Sequence, residues 1–92
     1  MVKVKNLNGT SNRVPLDGSS SWQEWWEKKK KRKFGECSRI NCSVKAEVGA
    51  HVQKALINDR RWYIVPLCRA CNSSKSENGF YVDEKDLEPV NQ

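Results

Sequence analysis

Apolar residues recur along this chain on two different periods. Trp22, Trp25 and Trp26 fall at i, i+3 and i+4, which is one face of a helix. Ser21 and Glu24 have the capping-box spacing, in which a serine oxygen and a glutamate carboxylate each satisfy an amide left unpaired by the first turn. Glu24 and Glu27 occupy the early turns and a run of cations the later ones, which suits the helix dipole. Glu24–Lys28 and Glu27–Lys31 are favourable i,i+4 pairs. The pattern predicts a helix over residues 21–33, stopped at Gly35.

Further along, the period shortens to two. Val44 to Val52 alternates in part and reads as a strand with a bend at Gly49-Ala50. Asn58-Asp59-Arg60 reads as a turn. Trp62-Tyr63-Ile64-Val65, aromatic and β-branched, is the clearest strand, and Pro66 is expected to end it. Leu67 to Asn72 opens a short helix with Cys71 near its first turn. Asn78-Gly79 is a turn signal before a last strand at Phe80-Tyr81-Val82. Residues 1–20 read as an irregular lead-in. Asn6 to Asn12, Pro15, Asp17 and Gly18 form turns, and Val2, Val4 and Leu7 suggest a short edge strand. Residues 83–92 read as an acidic tail. One domain is therefore expected over 21–82, with no internal repeat.

Composition sharpens this picture. With 92 residues, 37% hydrophobic and 30% charged, the chain can bury only a thin core, and such domains are often held by a metal or bridges. The four cysteines supply the means. Cys37-x4-Cys42 and Cys68-x2-Cys71 are two close pairs separated by enough chain for a hairpin. Each pair offers two sulfurs from one turn, and Zn²⁺ favours such a tetrahedral thiolate set. Two disulfides are the alternative, but nothing in the sequence suggests an oxidising compartment. No apolar run is long enough to span a membrane, and no apolar stretch follows Met1 to Asn6 as a signal peptide would require. A monomer in a reducing cytoplasm is expected.

The net charge is +6, and its placement matters more than its size. Lys28, Lys29, Lys30, Lys31, Arg32 and Lys33 are consecutive. Seventeen bases stand against eleven acids, so these six residues account for the whole excess. Such a block neutralises phosphates without reading bases, which points to salt-dependent nucleic-acid binding. A solvated helix end is the plainer reading, although six cations exceed what dipole complementarity requires. Trp22 and Trp26 are expected to pack as core, with stacking on unpaired bases as the alternative. A membrane-surface helix fits less well, because the charges form a terminal block and not a polar face.

The order of cysteine turn, hairpin and cysteine pair at a helix start resembles a treble-clef zinc finger. Within it, Gly49-Ala50-His51-Val52 followed by Ile64-Val65-Pro66-Leu67-Cys68-x-x-Cys71-Asn72-x-x-Lys75 resembles the HNH endonuclease family over residues 37–76. Asn8-Gly9-Thr10-Ser11, Ser21-Trp22-x-x-Trp25 and Trp62 to Cys71 are also similar to small uncharacterised bacterial HNH-like proteins, a likeness that brings no activity with it. The resemblance implies that His51 matches the general base activating water and that Asn72 matches the last ligand of a second, catalytic divalent ion. The chain departs from the family at Ala50, where an acid or His is usual, and at Trp62 or Tyr63, nearest to the family's central Asn. Glu47 has no spacing that favours it as a substitute. Other readings of His51 are a hydrogen bond to a backbone carbonyl or zinc-bound sulfur, or a zinc ligand in place of Cys37 or Cys42.

The expected fold is α+β, a small treble-clef zinc finger of β-hairpin plus helix with an additional N-terminal helix. The expected function is a zinc-stabilised nucleic-acid-binding module, with DNA and RNA not distinguished. The alternatives are an HNH-type nuclease using His51 and a protein-interaction adaptor, of phage or defence origin, whose basic block meets an acidic partner.

Overall fold

The computed structural model describes residues 1–7, 13–74 and 78–90. The turn-rich run from Asn8 to Asn12, Lys75 of the HNH-like segment, and the end of the tail at Asn91-Gln92 lie outside the described residues. Five strands and two α-helices follow in the order β1 (Val2–Asn6), α1 (Trp22–Lys30), β2 (Val48–Lys54), β3 (Trp62–Leu67), α2 (Arg69–Asn72), β4 (Phe80–Val82) and β5 (Glu88–Val90). A 3-10 turn at Glu84–Asp86 precedes β5. The strands form one antiparallel sheet in the order β4-β1-β2-β3-β5. The architecture is a small α+β fold.

Both chain ends depart from expectation. The lead-in contains β1, which lies inside the sheet and not at its edge. It pairs with β2 through Val4↔Lys54 and with β4 through Val2↔Val82, and Val4 is fully buried. The tail contains β5, which pairs with β3 through Trp62↔Val90. Val2-Lys3-Val4-Lys5 alternates as a strand should, but its interior place depends on β2 and β4, and the three residues of β5 are too few to show a period of two.

Smaller departures also have local causes. β3 runs through Pro66 to Leu67. The Pro66 carbonyl accepts from Ser38 N at 2.8 Å, so the polar groups of Pro66 face away from β2, on the side where β5 has already ended. Its missing N–H therefore removes no ladder bond. α1 ends at Lys30, short of 33, and Lys31 closes it in the left-handed region (φ 58°). The chain turns back there because Glu27 takes the Phe34 amide at 2.8 Å and Phe34 packs edge-on against Trp26 at 5.2 Å. Ser21 caps Glu24 N as expected (3.1 Å), but the Glu24 carboxylate answers to Ser20 N (3.0 Å). Asp59 closes the β2–β3 turn by accepting from Arg61 and from Tyr63 Oη (2.5 Å), and it forms an ion pair with Lys54 at 3.9 Å.

Strand alternation gives the sheet two faces with different covers. One face carries Val4, Ala50, Val52, Tyr63, Val65, Leu67, Phe80 and Val82, packed with Cys37, Cys68 and Cys71. The other carries His51, Trp62 and Ile64 under Trp22, Trp25 and Trp26 of α1, with Val90 alongside. Gly49 lets α1 lie close on this second face. A Cβ there would stand 2.8 Å from the Trp22 carbonyl carbon and 3.0 Å from Gln23 N.

Candidate functional site

Cys37 and Cys42 come from a loop that the sheet holds in shape. Cys42 N donates to Arg39 O at 3.0 Å, closing a turn in which Asn41 takes φ 73°, a conformation that Asn tolerates better than most residues. Cys37 N donates to Val44 O at 2.8 Å, and Ile40 N donates to Tyr81 O of β4 at 2.9 Å. Opposite, Cys68 ends the β3 segment and caps α2, its sulfur accepting from Cys71 N at 3.5 Å. One turn of helix thus presents Cys68 and Cys71 together.

Asn6 of β1 braces the same helix. Its Nδ2 donates to the carbonyls of Cys71 (3.0 Å), Asn72 (3.2 Å) and Ser74 (3.3 Å), satisfying oxygens that the helix end leaves open. Nothing around Asn6 in the sequence signals this role, because Asn6 begins a turn-forming run there.

The four sulfurs lie within 4.8 Å of one another. Cys42 Sγ is 4.0 Å from both Cys68 Sγ and Cys71 Sγ, about twice a disulfide bond length, and all four cysteines are free thiols. Cys37, Cys68 and Cys71 are buried and Cys42 is half-buried. This cluster could hold a metal ion. Burial pushes the Cys71 thiol up to about 12 and also raises Cys37, whereas the Cys71 amide beside its sulfur lowers Cys68. Four thiolates at this spacing repel one another, and a cation at their centre is the group that favours their joint ionisation.

His51 is not brought to that cluster, which among the described residues holds cysteines alone. It lies on the other face of the sheet, clasped edge-on by Trp22 (4.8 Å between ring centroids) and Trp62 (5.9 Å). Burial first, and the charge of Arg13 second, lower its pKa and keep the ring neutral. Asn72 ends α2 on the cysteine side. The two residues that the HNH resemblance would pair, His51 and Asn72, are therefore held on opposite faces.

The six-cation block divides into two groups. Lys30 and Arg32 are structural. Lys30 Nζ donates to Leu87 O (2.8 Å) and pairs with Glu88 (3.3 Å). Arg32 pairs with Asp86 and lies over the Trp26 ring at 4.7 Å. Asp86 also accepts from the buried Ser38 hydroxyl (2.5 Å), and its carbonyl accepts from Trp26 Nε1 (2.8 Å). The acidic segment is thus an internal partner of the basic block, which the sequence pattern did not indicate. Lys28, Lys29, Lys31 and Lys33 are exposed. Lys28 pairs with the solvated Glu24, and the exposed Lys33 with the mostly buried Glu27, both at 3.6 Å. Lys28, Lys31, Arg32 and Lys33 line a shallow cleft of about 410 Å³ with those two acids.

No helix among the described residues is long and apolar enough to cross a membrane. Comparison with known proteins finds no matching family model, curated protein or solved structure.

Proposed function

We propose that this chain is a zinc-stabilised module that binds nucleic acid through phosphate contacts, and that the zinc is structural. An ideal tetrahedral site with Zn–S of about 2.3 Å has sulfurs about 3.8 Å apart, close to the 4.0 Å separations of Cys42 from Cys68 and Cys71. An all-sulfur set is soft and closed, and it leaves no position for a reacting water. The chain order of cysteine loop, β2–β3 hairpin and cysteine-capped α2 supports a treble-clef, HNH-like reading of this region. A thiolate-held zinc fits a reducing cytoplasm.

The observation that carries the nucleic-acid reading is the division of the basic block. Two of its cations fasten the segment to residues 86–88, which leaves Lys28 and Lys29 displayed on the last turn of α1 and Lys31 and Lys33 just after it. Fixed, solvated lysines suit phosphates, which require charge and no base-edge geometry. The nuclease reading gains no support from His51, which is clasped by indoles and placed across the sheet from Asn72.

The test replaces Lys28, Lys29, Lys31 and Lys33 with Gln and leaves Lys30 and Arg32 intact. Replacing all six would also cut the bonds to Leu87, Glu88 and Asp86. The wild-type protein is expected to bind with a log–log salt slope of about −3 to −4 if all four lysines engage phosphates. The variant is expected to lose that binding while keeping its metal content and unfolding midpoint. A wild-type protein that binds neither duplex nor single strand at low salt overturns the proposal.

A further inference from the structure

The α1 face of the sheet carries a continuous run of aromatic rings with a cation at each end. Lys29 Nζ lies 5.8 Å over the Trp25 ring, and Trp25 meets Trp22 edge-on at 5.2 Å. Trp22 meets His51 at 4.8 Å, and His51 meets Trp62 at 5.9 Å. The Arg13 guanidinium stacks over Trp62 at 4.8 Å, and its backbone oxygen takes the Trp22 indole N–H at 3.1 Å.

Core packing explains only part of this run. Trp25 and His51 are buried and do the work of core residues. Trp22 and Trp62 stay part-exposed, and Arg13 is exposed. Both tryptophans are partly exposed and are held against neighbouring rings. A rigid, half-open indole costs little further ordering when a flat partner is laid on it. The Arg13 guanidinium over Trp62 marks a ring that accepts a flat partner, and because Arg13 is exposed it can swing to a phosphate and yield its place on the indole to a base.

We propose that this strip binds single-stranded nucleic acid, with unpaired bases on Trp22 and Trp62 and the adjoining phosphates on Arg13, Lys29 and the exposed lysines beside it. The inference rests on the nucleic-acid reading above and names its substrate class. The choice of occupant follows from chemistry. A duplex offers phosphates but keeps its base faces closed by stacking. An acidic peptide offers charge but no rings. An unpaired strand offers both, which is the pairing that aromatic platforms in cationic grooves exploit.

The experiment measures fluorescence anisotropy with labelled dT15 and with a blunt 15-base-pair DNA hairpin, at one salt concentration, using the zinc-loaded chain. The expected result is at least tenfold tighter binding of dT15, accompanied by quenching of tryptophan fluorescence. Trp62→Ala is expected to weaken dT15 binding about tenfold and leave hairpin binding unchanged, with Trp62→Phe restoring most of the loss. Should Trp62→Ala disturb the fold, Arg13→Gln probes the same strip from the surface and should weaken dT15 binding about threefold. Equal affinity for the two probes, or unaltered dT15 binding in both folded variants, overturns the single-strand assignment while the lysine-based reading stands. Failure of the wild-type protein to bind either probe at low salt overturns both.

Discussion

Gly49→Ala tests how closely α1 is seated on the sheet. The added methyl carbon would stand 2.8 Å from the Trp22 carbonyl carbon, 2.9 Å from Trp22 Cβ and 3.0 Å from Gln23 N. Two of these three atoms are backbone at the start of α1, so no side-chain rotation relieves the contact. The helix would have to lift as a body. Its far end resists this, because Trp26 Nε1 is bonded to Asp86 O at 2.8 Å and Lys30 Nζ to Leu87 O at 2.8 Å. Overpacking of this kind costs about 1–3 kcal/mol. Alanine also restricts the unfolded chain, which offsets about 0.4–1 kcal/mol. The expected net loss is about 1–2 kcal/mol, or roughly 4–16 °C in Tm for a domain of this size. Urea denaturation of the zinc-loaded protein should show a lower midpoint with an unchanged slope. A Gly49→Ala protein as stable as the wild type, or more stable, would refute the close seating of Trp22 on β2.

Three further outcomes are expected. Chelation should unfold the domain and release one equivalent of Zn²⁺, since zinc binding of about 10–16 kcal/mol matches or exceeds the whole stability of a small domain; a chelated chain that keeps its circular dichroism and cooperative melt would contradict this. Asp86→Ala should cost about 1–3 kcal/mol in denaturant unfolding, because it leaves the buried Ser38 hydroxyl without its acceptor, while the exposed Arg32 guanidinium turns to solvent; a change below the error of the midpoint would remove Asp86 as the joint between the basic block and the cysteine loop. Stability should decline as pH falls below about 6.5, where the unfolded chain protonates His51 while burial and Arg13 hold the folded ring neutral, and this decline should be shallower in His51→Phe, which keeps only the part due to protons competing for the cysteine ligands and the carboxylates. An identical pH profile in that variant would place the titrating group elsewhere.

The parts of this protein that depend on near neighbours in the chain were legible in its sequence. Trp22, Trp25 and Trp26 at helical spacing behind a capping serine gave α1, since both the period and the cap are properties of a few adjacent residues. Trp62 to Val65 and the Phe80–Val82 segment gave β3 and β4 for the same reason. The two cysteine spacings identified four candidate metal ligands, and the fold brings all four sulfurs together. What the sequence left undecided depends on partners that lie far along the chain. β1 is interior only because β2 and β4 take its two sides, and β5 exists only as a partner of β3. The six cations look equivalent as a string, yet Leu87 and Glu88 hold the half-buried Lys30, and Asp86 ties down Arg32 although its side chain stays exposed. His51 and Asn72 read as one motif along the chain, but strand alternation points His51 toward Trp22 and Trp62 while Asn72 stands beside the cysteines. Local period and ligand spacing are encoded within a few residues, so the sequence determined them by itself. The face on which a strand residue lies, and the charge that a distant loop neutralises, are set by pairing between remote segments, and only the tertiary structure decided those.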